Sequence, residues 1–260
     1  MNSNTATLLA TRRFNGMAGE PLTEKPQNFD DAWALQQQVT QSYCQLAQTQ
    51  VAGWKCVLPT KSTTMLAPLF DNTIYDLTSK CAVFETLSEP MALVEPEIVT
   101  VFDRDLPVRD TPYTEQDIDN AIGSTRLALE LMQSRYQNPD DVTYFEAFAD
   151  GLLNQGVYLG PEVNIDLSIE AMSQFHLKIT SSEGATLINR IVTHPNNHPR
   201  IAVYWLVNFL RERGIEIKAG MKVITGSYAG IVKVPYGSPV SFTYGELGSM
   251  TVTFTKKSTD

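Results

Sequence analysis

Two glutamates stand one residue apart in the stretch "LVEPEIVTVFDRDLP", at Glu95 and Glu97, inside a β-branched apolar run. In an extended chain alternate side chains share a face, so the two carboxylates lie about 6.5 Å apart on one side. Like charges this close repel, and a cation relieves the repulsion. A hard divalent ion such as Mg²⁺, which takes oxygen ligands and keeps several waters, suits the pair. A solvated strand face decorated with acids is the competing reading. Glu130 is a third candidate, the lone acid among Leu127, Ala128, Leu129, Leu131 and Met132 in "LALELMQSRY". If that segment is buried, the carboxylate needs a partner, and a metal serves. If it is an amphipathic helix, Glu130 sits on the polar side. Lys55 is the lone cation in "AGWKCVL". It must snorkel, pair, or work as an acid/base or anion-binding group. Downstream, "ITGSYAG" offers small residues and backbone donors able to hold a carboxylate.

Other chemistries find little support. There is no GxSxG, P-loop or GxGxxG. His194 and His198 stand four apart, but in a proline-containing loop, "THPNNHPR", rather than on one face of a helix, and His176 lies far from both, so a histidine-held metal is not expected. Cys44, Cys56 and Cys81 are odd in number and widely spaced, which argues against a disulfide framework or a zinc site and for a reducing compartment. A net charge of −9 argues against a nucleic-acid surface. No run approaches the ~18 apolar residues of a membrane span. The N-terminal stretch lacks the pattern of a signal peptide. A soluble cytoplasmic protein is expected.

The elements that must position these residues change character along the chain. "NFDDAWALQQQVTQSYCQLAQ" reads as a helix capped by Asn28 or Asp30, with Leu35, Val39, Tyr43 and Leu46 on one face. Short β-like runs follow at "VAGWKCVL", "AVFETL" and "ALVEPEIVTVF". Pro96 lacks a donor, so its strand is expected at an edge or a bulge. A helix is expected over "TEQDIDNAIGSTRLALELMQ", opened by Thr114 and Asp117 at capping-box spacing, although "STRLALELM" also fits a strand. "RIAVYWLVNFLRERG" is a helix with Ile201, Val203, Leu206, Phe209 and Leu210 apolar, ending at Gly214. The remainder reads as strands and turns. Without regular βαβ alternation, the fold class is α+β.

Taken in order, "GWKCVL", "PLFDNTIY", "EPEIVTVFDRDLP", "LALELMQSRY", "FADGLLNQGVYLG", "HPRIAVYWLVNFLRERGIEIKAG", "VITGS" and "GELGSMTVTF" resemble the 2-keto-4-pentenoate hydratase and 4-oxalocrotonate decarboxylase family of the fumarylacetoacetase-like superfamily. The resemblance covers about residues 50 to 254. It implies a mixed β-sheet roll of the fumarylacetoacetase C-terminal type over residues 51–260, preceded by a helical portion over 1–50. It implies Mg²⁺ or Mn²⁺ held by Glu95, Glu97 and Glu130, with Lys55 and Asp71 as catalytic groups. Asn154, Thr225, Gly226 and Ser227 are the expected substrate contacts. The implied reaction is that of a lyase on a small 2-oxo acid in aromatic-compound catabolism, by way of a stabilised enolate, in a homo-oligomer.

The sequence departs from the family pattern where substrate is expected. "FADGLLNQG" carries Gly151 where the family has asparagine, Asn72 replaces a second acid after Asp71, and Asn197-His198-Pro199 stands at the usual Gly-His-Pro turn. Hydration, decarboxylation, acylpyruvate-type carbon–carbon hydrolysis and a non-catalytic ligand-binding homologue all stay open at this point.

Overall fold

The chain opens with two helices, α1 (Ser3–Asn15) and α2 (Phe29–Ala47). Asn28 caps α2, its side-chain oxygen accepting from the Asp31 amide at 2.9 Å. Strands β1 (Val51–Cys56), β2 (Leu66–Phe70), β3 (Ile74–Asp76), β4 (Lys80–Val83) and β5 (Ala92–Phe102) follow. A short α3 (Glu115–Asp119) leads into β6 (Ile122–Met132), then α4 (Tyr144–Asp150), β7 (Asn154–Glu162), α5 (Ile169–Ser173), β8 (Gln174–Ser181) and β9 (Thr186–Thr193). The long helix α6 (Pro199–Glu212) precedes β10 (Lys222–Ile224), β11 (Val232–Val234), β12 (Pro239–Tyr244) and β13 (Ser249–Lys256). This is a computed structural model, and it describes residues 3–85, 90–163 and 169–257. Part of the expected run "AVFETL" therefore lies outside the described residues.

The strands form two mixed sheets. One runs β2-β1-β10-β5-β6-β7-β3, with β11 also paired to β5; the other runs β4-β13-β12-β8-β9. The larger sheet curls until β2 touches β7. Its concave face buries Leu69, Val99, Ala128, Val157, Leu159 and Ile224, contributed by five different strands. Its other face packs on the smaller sheet through Val94, Ile98, Leu127, Leu129, Phe242 and Phe254, among others. Helix α6 covers the outside of β1, placing Ala202, Val203, Leu206 and Leu210 against Trp54 and Cys56. The α+β roll is as expected.

Three expectations need correction. The helix read over residues 114–133 stops at Asp119, and residues 122–132 are β6. The Thr114 capping box is real, but β6 pairs with β5 on one side and β7 on the other. A strand buried on both faces loses the polar alternation that marks a strand in sequence. Second, β5 is not an edge strand. Pro96 pairs opposite Leu129 of β6, and its other flank faces the gap between β10, which pairs at residues 99–101, and β11, which pairs at 92–94. The Pro96 carbonyl points into that gap, where it accepts the Tyr228 amide at 3.0 Å. In an antiparallel strand a residue's N and C=O share a flank, so the missing N–H costs no ladder bond. Third, Leu46 and Ile201 are exposed, at 45% and 39%, so the apolar faces of α2 and α6 are narrower than read.

Candidate functional site

The gap in β5's pairing is where the carboxylates gather. Register places Glu95 directly opposite Glu130 on β6, with Glu97 two residues along the same face. Lys55 pairs with Ile224 of β10, and Ile224 with Val99 of β5. Lys55 therefore lies on the same concave face, in the row beside Glu97. One carboxylate oxygen from each of Glu95, Glu97 and Glu130 lies within 4.8 Å of the others. Glu97 is 2% exposed and Glu130 1% exposed. Three acids converge here at the mouth of the roll, above a floor of apolar side chains.

Two of the three carboxylates, Glu130 and Glu97, have defined hydrogen-bond partners. Lys55 Nζ donates to Glu130 Oε1 at 2.6 Å and to the Leu152 carbonyl at 3.0 Å. Asn154 Nδ2 donates to the same Glu130 oxygen at 2.8 Å. The Gly226 amide donates to Glu97 Oε2 at 2.8 Å. With two donors converging on Oε1, the other oxygen of Glu130 is the one left to turn toward a ligand.

Electrostatics match an ion site. Burial pushes the Glu95 carboxyl up to about 7, with the Glu130 charge adding to the effect and Lys55 opposing it. Burial, then Glu130 and Glu95, push Glu97 well above the usual carboxylate range, against the Gly226 hydrogen bond. One lysine cannot balance three carboxylates, two of them buried and the third half-buried. An all-oxygen set with this excess negative charge fits a hard divalent cation rather than a thiophilic one. The residues present therefore fit a divalent ion.

Two irregular turns do the positioning. Gly151, Leu152 and Leu153 are left-handed in succession, with φ of 95°, 53° and 66°. Two leucines in this region are costly. The turn aims the Leu152 carbonyl at Lys55 and starts β7 so that Asn154 reaches Glu130. Gly226 has φ of 116°, and a Cβ there would lie 2.9 Å from both Pro195 Cγ and Val57 Cγ1. Glycine is what lets this backbone amide approach Glu97.

The carboxylates and Lys55 open into a cleft of about 400 Å³. Cys56, Val57, Leu58, Thr60 and Met65 form one wall, and Pro195, Asn196, Gly226, Ser227 and Gly230 the other. The walls are tied where the Leu58 amide donates to Asn196 Oδ1 at 3.1 Å.

The structure brings Lys55, Glu95, Glu97, Glu130, Gly226 and Ser227 to this cleft and places Asn154 and Thr225 behind it. Asn154 is fully buried and touches Glu130 rather than the cleft. Thr225 is buried and its hydroxyl lies 3.3 Å from His194 Nε2. Asp71 is not brought to the site. It follows β2, where its amide bonds the Gln50 carbonyl, and it lines a separate depression with Gln50, Lys218 and Met221. That is the opposite end of β1 from Lys55, on the order of 13 Å of strand away. Asn72 beside it donates to Tyr43 Oη at 3.1 Å.

Several supporting residues were not anticipated. His194 accepts the Asn196 amide on Nδ1 at 3.1 Å and is pushed down to about 4 by burial and by His198. It is thus a neutral prop for the wall. Arg135 and Asp150 form a buried ion pair at 2.8 Å at the end of α4, anchoring the turn that carries Leu152. A lone buried arginine and aspartate have no spacing signal in sequence, because their partnership is made by the fold.

No family model matches the chain. It is 28% identical over 155 residues, 57% of each chain, to the 2-oxo-hept-4-ene-1,7-dioate hydratase of Escherichia coli. It is 28% identical over 181 residues, 65% of each chain, to the 2-keto-4-pentenoate hydratase of Burkholderia vietnamiensis. The chain thus spans less than two thirds of the length of the curated relatives it matches. The 4-oxalocrotonate decarboxylase from Pseudomonas putida G7, complexed with magnesium and adipate, superposes with a TM-score of 0.72 at 20% identity over 98% of both chains. The 2-hydroxyhepta-2,4-diene-1,7-dioate isomerase from Mycobacterium marinum gives 0.52 at 14% identity, covering 80% of this chain and 77% of that one. These likenesses bear out the family resemblance and the fold, and mark the chain as divergent.

Proposed function

We propose that this protein is a divalent-cation-dependent lyase acting on a small 2-oxo acid or its 2-hydroxy-dienoic form, a hydratase of aromatic-compound catabolism. The observation that carries the reading is the convergence of Glu95, Glu97 and Glu130 with Lys55 at the floor of one cleft. Glu95, Glu97 and Glu130 would hold the ion, Mg²⁺ or Mn²⁺. When bound, it supplies a Lewis acid against charge developing on the 2-oxo oxygen.

The chain's own groups do the rest. Gly226 fixes Glu97, and Asn154 fixes Glu130, so the carboxylates keep their places without the substrate. Lys55 Nζ stands beside Glu130 and faces the cleft, placed to hold the substrate carboxylate or to move a proton. With Asp71 distant, Lys55 takes the acid/base role. Ser227 Oγ and the Asn196 amide are the polar groups placed to orient substrate or water. The cysteines Cys44, Cys56 and Cys81 are unpaired, which supports a reducing compartment, the cytoplasm. Among the described residues no helix is long and apolar enough to cross a membrane. A homo-oligomer is the assembly proposed, by the family resemblance.

The test is turnover of 2-hydroxypenta-2,4-dienoate in Mg²⁺ and in excess chelator, followed by loss of the diene absorbance. Metal-dependent turnover supports the reading. Release of carbon dioxide from 4-oxalocrotonate in its place would assign decarboxylation, and inactivity on both would refute the lyase assignment.

A further inference from the structure

Resting on the 2-oxo acid reading, we infer that the substrate carries a single carboxylate and that its far end is apolar, so that the cleft selects against dicarboxylates. Among the described residues, the charged ones lining the cleft are Lys55, Glu95, Glu97 and Glu130, and all four lie together at its floor. Lys55 is the one cation among them, and its Nζ is already held by Glu130 and the Leu152 carbonyl. It serves the carboxylate next to the ion.

Away from the floor, the walls are Val57, Leu58, Met65 and Pro195, with Thr60, Asn196 and Ser227 as neutral polar residues, the Ser227 hydroxyl donating to the Gly230 carbonyl at 3.2 Å. Thr60 Oγ1 is engaged by Thr63 Oγ1 at 2.7 Å, and Asn196 Oδ1 by the Leu58 amide. The Asn196 amide nitrogen could meet a hydroxyl or carbonyl on the tail, but a neutral amide does not balance a second charge. Lys61, adjacent to Thr60, is exposed and does not line the cleft. A carboxylate at the far end would be drawn from water against apolar side chains without a counter-charge, which is costly. An alkyl or alkenyl end gains from the same contacts. The cleft of about 400 Å³ has room for such a chain. Met65 is the specificity-determining position, a methionine 38% exposed at the rim, where its side chain meets whatever leaves the cleft.

The experiment compares two probes of equal chain length, 2-oxohexanoate and 2-oxoadipate, by calorimetric titration into the Mg²⁺-loaded protein. The expected result is that 2-oxoadipate binds about 10- to 100-fold more weakly, the range for an uncompensated polar group. Met65→Arg should narrow or reverse that ratio by about 10-fold, and its exposed position leaves the core untouched. Equal affinity for the two probes in the wild type overturns the inference while leaving the 2-oxo acid reading standing. Binding of neither overturns both.

Discussion

Replacing Glu95 by glutamine should stabilise the metal-free protein at alkaline pH, although it removes a charged group from the centre of the site. The Glu95 carboxyl is raised from 4.5 to about 7, by burial first and by Glu130 second. The folded state therefore retains a proton that the unfolded chain releases. Because the folded value is the higher one, the penalty is absent below about pH 4.5, grows as pH rises through the window to about 7, and is complete above it. A carboxyl displaced this far costs the fold about 3 kcal/mol at pH 8. The cleft opens to solvent, and screening leaves about 1–3 kcal/mol. Glutamine keeps the shape and has no proton to lose. Glu95→Gln in excess chelator should therefore raise the unfolding free energy by about 1–3 kcal/mol at pH 8, or Tm by about 2–8 °C, and change little at pH 5. Denaturant melts of both proteins at the two pH values measure this. A loss of stability at pH 8, or an equal gain at both pH values, would refute the reasoning.

Further outcomes follow from the same geometry. Lys55→Met should lower turnover by about 10²–10⁴-fold while Mg²⁺ affinity, read by calorimetry, stays within a few-fold of wild type. Asn154→Ala should weaken Mg²⁺ binding by about 10- to 100-fold, because Glu130 loses a donor that orients it; unchanged affinity would make Asn154 a packing residue. Asp71→Asn should leave kcat/KM within about 3-fold of wild type, since a change remote from the reacting groups removes no transition-state interaction; a large loss would return Asp71 to the site.

How much of this could be read from the chain depends on which interactions are local. Glu95 and Glu97 share a face because a strand repeats every two residues, and that needs no partner. Glu130 completes the set through strand register, which is non-local; its own segment reads equally as helix or strand because β6 is buried on both sides. Pro96 marked a break in pairing correctly in kind, but the break is a gap inside a sheet rather than an edge. Asp71 was misplaced by topology. An antiparallel β2 carries the residues after it back to the far end of β1, and nothing near "LFDNT" signals that return. Thr225 and Asn154 belong behind the site because the turns at 151–153 and 225–227 decide which groups face the cleft. Met65, Leu58 and Asn196 come from loops without periodicity, so the cleft walls emerge only in three dimensions.

The proposed function stands on Glu95, Glu97 and Glu130 forming one divalent-cation site at the floor of the cleft. Calorimetric titration of Mg²⁺ into the chelator-stripped wild type and into Glu97→Gln, at pH 8, tests it most directly. The expected result is one site per chain in the wild type and affinity at least about 10-fold weaker in the variant. A wild type that takes up no divalent ion, or a variant that binds it equally well, would contradict the claim.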